Sequence, residues 1–279
     1  MKNGLAIWHY PHRTTAKNVV FFAQNGFESV SINGTGFVIE LKNGLGDEIA
    51  EAVSSTGVYL TVHYCMPHSH SEEHVTAYLE GLKLISDWQK KYGFIKILSF
   101  DVPQSIRDNI SEYINFALDG IENCSLALED FGLTKEEREQ IEYLKGNERF
   151  GYLIDIGHMY MRLRGVDKHK ATLFLNSPDE CEPSENPGFS QFSKAFVSKE
   201  FPILEIHLHN NDGENDTHLF LEDGTLKIED IAKLLKSIDY KGVLTIESAP
   251  GYQFECAGAD ADNGILKTYS YWKECCLKA

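Results

Sequence analysis

Apolar residues recur along this chain in two alternating patterns: short continuous runs, and longer stretches with one apolar face at helical spacing. The short runs have the length of β-strands, and the longer stretches have the period of amphipathic helices. The runs predict eight strands, at Leu5–His9, Phe27–Ile32, Val58–Tyr64, Phe94–Phe100, Ser125–Leu128, Tyr152–Ile156, a run that starts at Ile203, and Val243–Ile246. The helical spacing predicts helices at Thr15–Gln24, Gly46–Ser55, Glu72–Tyr92, Ile106–Ile121, in TKEEREQIEYLK with Thr134 as its N-cap and Glu137 three residues on, around Phe192–Phe196, at Ile228–Ile238 and at Ala261–Cys275.

The alternation of strand and helix repeats about eight times at roughly 35 residues per unit, as in a (β/α)8 barrel of about 250 residues. The other α/β architecture, a doubly wound open sheet, would be favoured by a glycine-rich dinucleotide turn after the first strand, and this chain has none there. The units follow one another without a proline- or glycine-rich linker. We therefore predict an α/β protein with one TIM barrel domain over residues 1–279, in which Asn176–Gly188 is a surface insertion.

The composition narrows the classes of partner. The net charge of −16 and the pI near 5.1 argue against nucleic acid, because binding a polyanion depends on lysine and arginine. No run approaches the ~20 apolar residues of a membrane span, and the first residues lack a secretion-type pattern. The six cysteines are thinly scattered, which is typical of a reducing compartment. We expect a cytoplasmic protein that acts on a small molecule.

The stretch ILEIHLHNNDGENDTH, from Ile203 to His218, combines a strand with metal-binding residue types. Alternation with a period of two places Glu205, His207 and His209 on one face of the strand. A polar loop with an Asp-x-His pair follows. Neutral imidazole and carboxylate are standard ligands of zinc, manganese and related ions. Taken alone, the stretch fits a solvated strand end equally well.

Ligand residue types also follow the other strands. In the order of strands three to eight, they are His63, Asp101, Glu129, Asp155, His158, His209 and Glu247. In a parallel barrel these strand ends meet at one mouth, where the active sites of this fold lie. Three carboxylates and one imidazole would form an oxygen-rich site for a divalent ion. Without a cation, the carboxylates would repel one another or take up protons. The predicted ligands are Glu129, Asp155, His209 and Glu247.

The motifs LALEDFG, YLIDIGHM, EIHLHNNDG…DTHL and YKGVLTIES resemble the strand ends of the xylose-isomerase-like TIM barrels, a superfamily of sugar isomerases and epimerases, inosose-processing enzymes and endonuclease IV. The resemblance covers strands five to eight well and strands one to four loosely. It implies that Glu129, Asp155, His209 and Glu247 bind a divalent metal ion (Mn, Zn, Mg or Co). It also implies that Glu129 and Glu247 are the acid/base pair of a metal-dependent isomerase or epimerase that acts through a metal-stabilised enediolate.

Two residues bear on the substrate. By the same resemblance, His158 contacts a substrate oxygen. Epimerases of this kind usually carry an arginine six residues after the ligand histidine, and here that position is Asn215. This departure weakens the assignment of a simple ketose 3-epimerase.

Endonuclease IV offers the alternative of a multinuclear zinc phosphodiesterase. By resemblance, His158, Asp216 and His218 match the ligands of its third zinc ion. His63 matches a ligand of its first zinc ion, and Asp101 stands where the other histidine ligand of that ion would be. These five residues are therefore predicted to bind either a second metal ion or the substrate.

Trp8 and His9 end the first strand at the mouth, where they either form a wall of the substrate site or simply pack. The predicted substrate is a small sugar, sugar phosphate or cyclitol derivative. A dehydratase or lyase, or a binding protein without catalysis, stays open as a third class. Because relatives often form dimers, a homodimer is a further expectation.

Overall fold

The computed structural model describes residues 1–130, 133–165, 187–197, 200–249 and 259–279 of the protein. All eight strands are parallel, each pairs with its neighbours in chain order, and β8 pairs with β1 to close the barrel. The strands are β1 (Lys2–Ala6), β2 (Ser29–Asn33), β3 (Tyr59–Cys65), β4 (Ile95–Asp101), β5 (Ser125–Glu129), β6 (Phe150–Asp155), β7 (Ile203–Leu208) and β8 (Val243–Ile246). The predicted (β/α)8 TIM barrel is confirmed.

Helices connect the strands around the outside. In the described part of the chain they are α1 (Thr15–Gln24), α2 (Gly34–Lys42), α3 (Gly46–Thr56), α4 (Glu72–Tyr92), α5 (Ile110–Gly120), α6 (Lys135–Ile141), α7 (Ile156–Leu163), α8 (Phe189–Val197), α9 (Ile228–Ser237) and α10 (Ala259–Lys278). The predicted bounds of α1 and α4 match to the residue. Local signals fix both ends of α4: the Ser71 hydroxyl accepts from the backbone N–H of His74, and Gly93 ends the helix with a φ of 71°.

The predicted first strand, Leu5–His9, is wrong at both ends. Pairing with β2 and β8 ends by Ala6, and Ile7–His9 forms a 3₁₀ turn instead. β8 ends at Ile246, opposite Leu5, so β1 loses one of its two neighbours there and the chain turns at the rim of the barrel. The predicted helix Ile106–Ile121 likewise divides into a 3₁₀ segment, Gln104–Asn109, and α5.

The sequence patterns missed two helices, α2 and α7, because each begins at once after a strand. Asn33 ends β2, and its side chain accepts from the backbone N–H of Gly36 at 2.9 Å. Asp155 ends β6, and its Oδ1 accepts from the backbone N–H of His158 at 2.7 Å. The observed strand therefore ends at Asp155, one residue before the predicted end at Ile156, since Ile156 already belongs to α7.

The inner face of the barrel carries a small apolar layer below a polar one. Ile97, Ala127, Leu153 and Val243 form an apolar cluster that is separate from the main core between strands and helices. Opposite Leu153 and Val243 in the strand register, Glu205 crosses the barrel interior, where its Oε1 accepts hydrogen bonds from β3 and β8. The polar layer leads directly to the mouth at the carboxyl ends of the strands.

Two other expectations concern loops and thiols. Cys65, Cys124, Cys275 and Cys276 carry thiols outside any disulfide, whereas Cys181 and Cys256 lie outside the described residues. Residues 176–186 of the predicted insertion also lie outside the described residues. Among the helices that the structure describes, none combines the length and apolar character of a membrane span.

The capping box of α6 provides a test of the fold. The Thr134 hydroxyl accepts from the backbone N–H of Glu137, and the Glu137 carboxylate accepts from the backbone N–H of Thr134. We expect Thr134→Ala to lower the free energy of unfolding by about 1 kcal/mol, because it leaves a helix N–H without its partner. Chemical denaturation measures this loss. In the control Lys135→Ala, which removes only an exposed ion pair, the change should stay within about 0.5 kcal/mol.

Candidate metal centre

Four strand ends bring the four predicted ligands to the same mouth. Glu129 and Asp155 are the last residues of β5 and β6, and His209 and Glu247 follow β7 and β8 closely. All four are buried, with at most 8% of their surface exposed. The structure thus gathers ligand residue types that lie far apart in the sequence.

Asp155 lies between the two glutamates. One ligand atom from each of Glu129, Asp155 and His158 lies within 4.8 Å of the others. The same holds for Asp155, His207 and Glu247. The Asp155 carboxylate therefore connects the ends of β5, β6 and β8 into one cluster.

The atoms around His209 suit a cation. Its Nε2 lies 3.1 Å from Asp155 Oδ1, and its Nδ1 faces the carbonyl oxygen of Asn210 at 3.4 Å. When Nδ1 carries the proton, Nε2 keeps the lone pair that a metal ligand needs. The other carboxylate oxygen, Asp155 Oδ2, is buried and accepts no hydrogen bond from the described residues. Leaving such an oxygen unsatisfied is costly, so the donor set fits a divalent cation.

A second group of ligand types surrounds Asp216. Its Oδ1 lies 3.3 Å from His158 Nε2 and 3.2 Å from His218 Nε2. The His218 ring stacks on His209 at a centroid distance of 3.7 Å, and its Nδ1 donates to the Glu247 carbonyl oxygen at 3.0 Å. The backbone of His218 has a φ of 45°, a left-handed conformation that is strained for a residue with a side chain and often found at functional sites. Ligand atoms of His158, His209, Asp216 and His218 lie within 4.8 Å of one another.

Two asparagines hold the loop that carries Asp216 and His218. The amide of Asn210 donates to the carbonyl oxygens of Leu221 and Leu226 at 2.7 and 3.1 Å. The side chain of Asn211 accepts from the backbone N–H of Thr217 at 2.9 Å. Both asparagines are buried, so they replace the water that an ordinary loop would bind. The loop is therefore a fixed part of the site.

The remaining predicted residues occupy the other side of the mouth. His63 Nε2 lies 3.5 Å from Glu129 Oε2, and the indole of Trp8 stacks on the His63 ring at 6.0 Å. His9 Nε2 lies 3.8 Å from Glu247 Oε1. Asp101 stands apart from the compact ligand groups of the described residues.

An open cavity of about 480 Å³ lies over these residues, within the range of small-molecule sites. It is lined by Trp8, His9, Asn33, His63, Asp216, Thr217, His218 and Glu247. The lining combines one large aromatic ring with imidazole and carboxylate groups. It therefore offers both an apolar wall and many hydrogen-bonding atoms to a small ligand.

Burial and close partners act in opposite directions on the carboxylates. Burial raises the pKa of Glu129 to about 8, despite its contact with His158. Burial also opposes ionisation of Asp155, but His158 and His209 outweigh it and lower the pKa of that carboxyl below its usual range. For His218, burial lowers the pKa, yet the contact with Asp216 raises it overall to about 9. Carboxylates and imidazoles thus compensate one another's charge.

Two residues of the site, Gly157 and His207, had no role predicted from the sequence. A Cβ at Gly157 would overlap the His209 ring, so the residue after Ile156 must be glycine for the ring to lie where it does. His207 Nδ1 contacts Glu247 Oε2 at 2.8 Å. The alternation of β7, which places His207 on the same face as His209, was the signal that could have indicated it.

Comparison with known proteins identifies the family. A family model described as the xylose isomerase-like TIM barrel matches residues 20–274. The chain therefore belongs to the xylose isomerase-like TIM barrel family, and the resemblance of its strand-end motifs is confirmed. An uncharacterized protein of Methanocaldococcus jannaschii is 27% identical over 165 residues, which are 56% of this chain and 48% of that protein. The match thus spans about half the length of this relative.

Solved structures with this fold include sugar epimerases. A 3-keto-D-glucoside 4-epimerase from E. coli has a TM-score of 0.66 at 15% identity and covers 99% of this chain and 100% of its own. A D-psicose 3-epimerase from Clostridium cellulolyticum H10, solved with D-tagatose, has a TM-score of 0.62 at 12% identity and covers 99% of both chains. A D-tagatose 3-epimerase-like protein has a TM-score of 0.63 at 19% identity, with 98% of this chain and 99% of its own covered. At these identities the likeness shows the fold.

Gly157 provides a test of the packing under His209. We expect Gly157→Ala to lower the free energy of unfolding by about 1–3 kcal/mol, because the added methyl group forces the buried His209 ring to move. The control is Gly120→Ala at the end of α5, where a Cβ meets no atom within 4 Å. Denaturant titration should show the control unchanged or slightly more stable. Equal stability of the two variants would contradict the contact.

Proposed function

We propose that this chain isomerises or epimerises a small sugar, sugar phosphate or cyclitol derivative by proton transfer at a divalent metal centre in the barrel mouth. The observation that carries the proposal is the pair of buried glutamates, Glu129 and Glu247, which are connected through Asp155. The sugar epimerases that share the fold support the same class of reaction. The acidic net charge also suits a small substrate better than a polyanion.

Glu129, Asp155, His209 and Glu247 would hold the cation. When bound, a divalent ion supplies Lewis-acid stabilisation for the negative charge that develops on a substrate oxygen. The four residues are buried, so bulk water screens their charges only weakly. Three carboxylates and one imidazole suit each of the ions Mn, Zn, Mg and Co.

The two glutamates would carry the proton. One carboxylate removes the proton from the carbon beside the substrate carbonyl, and the bonding electrons delocalise into an enediolate. The other glutamate, which starts protonated, donates its proton to the opposite face of that carbon, which gives the epimer and exchanges the protonation states of the two glutamates. Return of the proton to the neighbouring carbon, together with transfer of the hydroxyl proton to the former carbonyl oxygen, gives the isomer instead. Atoms and charge balance without any further reactant.

Substrate recognition would differ from that of the arginine-bearing epimerases. Asn215 stands in place of the arginine, and its side chain donates to Asp212 Oδ2 at 3.1 Å within its own loop. The substrate would instead contact Trp8 and His9 along one wall and His158 on the opposite side. Such a wall suits an aliphatic ring or chain that also carries hydroxyl groups.

Exchange of a substrate proton with solvent tests this chemistry. In D₂O with Mn²⁺, proton NMR of ketoses and inososes should show deuterium entering the carbon next to the carbonyl. We expect Glu129→Gln and Glu247→Gln to slow this exchange by about 10²–10⁴-fold, because an amide cannot take the proton. Glu136→Gln on the exposed surface of α6 is the matched control and should exchange like the wild type. Undiminished exchange in both site variants would contradict their role.

A multinuclear phosphodiesterase is the second candidate. The observation that favours it is the compact group of His158, His209, Asp216 and His218, which has the donor types of a zinc site. A strongly acidic chain weakens the case for a nucleic acid substrate.

Metal stoichiometry separates the two candidates. We expect one equivalent of divalent metal per chain in protein purified without chelator, and the same amount in His218→Ala, because His218 is not one of the four residues proposed to hold the ion. Elemental analysis of both proteins measures this. Two or three equivalents of zinc that fall in His218→Ala would favour the phosphodiesterase instead.

A further inference from the structure

A row of buried polar side chains runs down β7 from the mouth into the barrel. His207 is 1% exposed and Glu205 is fully buried. The Nδ1 atom of His207 lies 2.8 Å from Glu247 Oε2, and its Nε2 atom lies 3.6 Å from Glu205 Oε1. The imidazole therefore lies between two carboxylates, that of Glu247 at the mouth and that of Glu205 deeper in the barrel.

We propose that His207 is a positioning residue, which holds the Glu247 carboxylate through Nδ1–H while the negative charge of Glu205 faces the opposite edge of its ring. This inference rests on the proposed role of Glu247 as a metal ligand and proton carrier. It assigns to His207 a task that is distinct from binding the metal or the substrate.

Glu205 can serve as an anchor because it is itself held on two sides. Its Oε1 accepts hydrogen bonds from the hydroxyls of Thr61 and Thr245, each at 2.9 Å. These hydroxyls come from β3 and β8, so the carboxylate is tied to strands on different sides of the barrel. A buried carboxylate with such donors keeps one geometry.

The packing of the His207 ring supports a fixed orientation. The ring meets His63 edge to face at a centroid distance of 5.1 Å and lies 6.3 Å from the indole of Trp8. A flipped ring would give up the short contact with Glu247. One oxygen of Glu247 is thus occupied by His207, and Oε1 stays on the side of His9.

The competing assignment is that His207 is itself a metal ligand, since its ligand atoms lie within 4.8 Å of Asp155 and Glu247. The two assignments require different roles of the imidazole. A positioning residue needs Nδ1–H as a donor toward Glu247, whereas a ligand needs a lone pair. Residues that orient a metal ligand typically change metal affinity by about 10–100-fold when they are replaced.

Two conservative variants distinguish the roles of the two ring nitrogens of His207. In His207→Asn the side-chain amide can take the place of Nδ1–H, and in His207→Gln it can take the place of Nε2–H. We expect His207→Gln to weaken Mn²⁺ binding by about 10–100-fold and His207→Asn to stay within about threefold of the wild type. Electron paramagnetic resonance of free Mn²⁺ during titration measures both affinities, and crystal structures of both variants show the Glu247 carboxylate.

The structures should show Glu247 in its original orientation in His207→Asn and turned away in His207→Gln. Equal loss of Mn²⁺ binding in both variants with Glu247 unmoved would identify His207 as a ligand and overturn the proposal. Equal retention in both, with Glu247 unmoved, would show that the contact positions nothing and would also overturn it.

Glu205→Gln is a further variant, which tests the proposal even if a His207 variant does not fold. The amide oxygen can still accept from Thr61 and Thr245, but the side chain loses the negative charge that faces Nε2. We expect a smaller loss of Mn²⁺ affinity than in His207→Gln, with Glu247 less ordered. An unchanged affinity and an unchanged Glu247 would count against the anchor. If the wild type itself binds no Mn²⁺, the proposed function fails, while the Glu247 orientation in the variant structures still decides the role of His207.

Discussion

Four carboxylates lie inside the barrel, and each belongs to a residue that is at least nine-tenths buried: Glu129, Asp155, Glu205 and Glu247. An ionised group in such a place costs several kcal/mol unless charge or hydrogen bonds compensate it. Here the compensation comes from imidazoles at the mouth and from threonine hydroxyls below it. The arrangement of the polar residues follows from this requirement, and a cation in the upper cluster would satisfy it further.

The site and the scaffold share residues, which limits how freely either can change. Asp155 ends β6, caps α7 and contacts His209, so one side chain serves the strand, the helix and the cluster. Asn210 and Asn211 similarly complete the backbone hydrogen bonds of the loop that carries Asp216 and His218. Polar residues of this kind have structural roles even where they lie next to candidate chemistry.

The sugar epimerases that share the barrel have sequences only 12–19% identical to it. The fold therefore persists although most of the sequence differs, which is usual for TIM barrels. In this chain the loop after β7 binds its own Asn215 through Asp212 and presents two further metal-ligand types, Asp216 and His218.

The sequence alone determined the barrel, because the period of apolar residues and the caps of helices such as α1 and α4 are local properties. It also indicated Glu129, Asp155, His209 and Glu247, because residues at the ends of parallel strands must meet. It missed α2 and α7, which begin directly after a strand, and the end of β1, which lies where the neighbouring strand β8 ends. It assigned no role to Gly157 or His207. The close approach of Gly157 to His209 and the contact of His207 with Glu247 join residues that are distant in the chain or lie on different strands. Only the tertiary structure brings such atoms together.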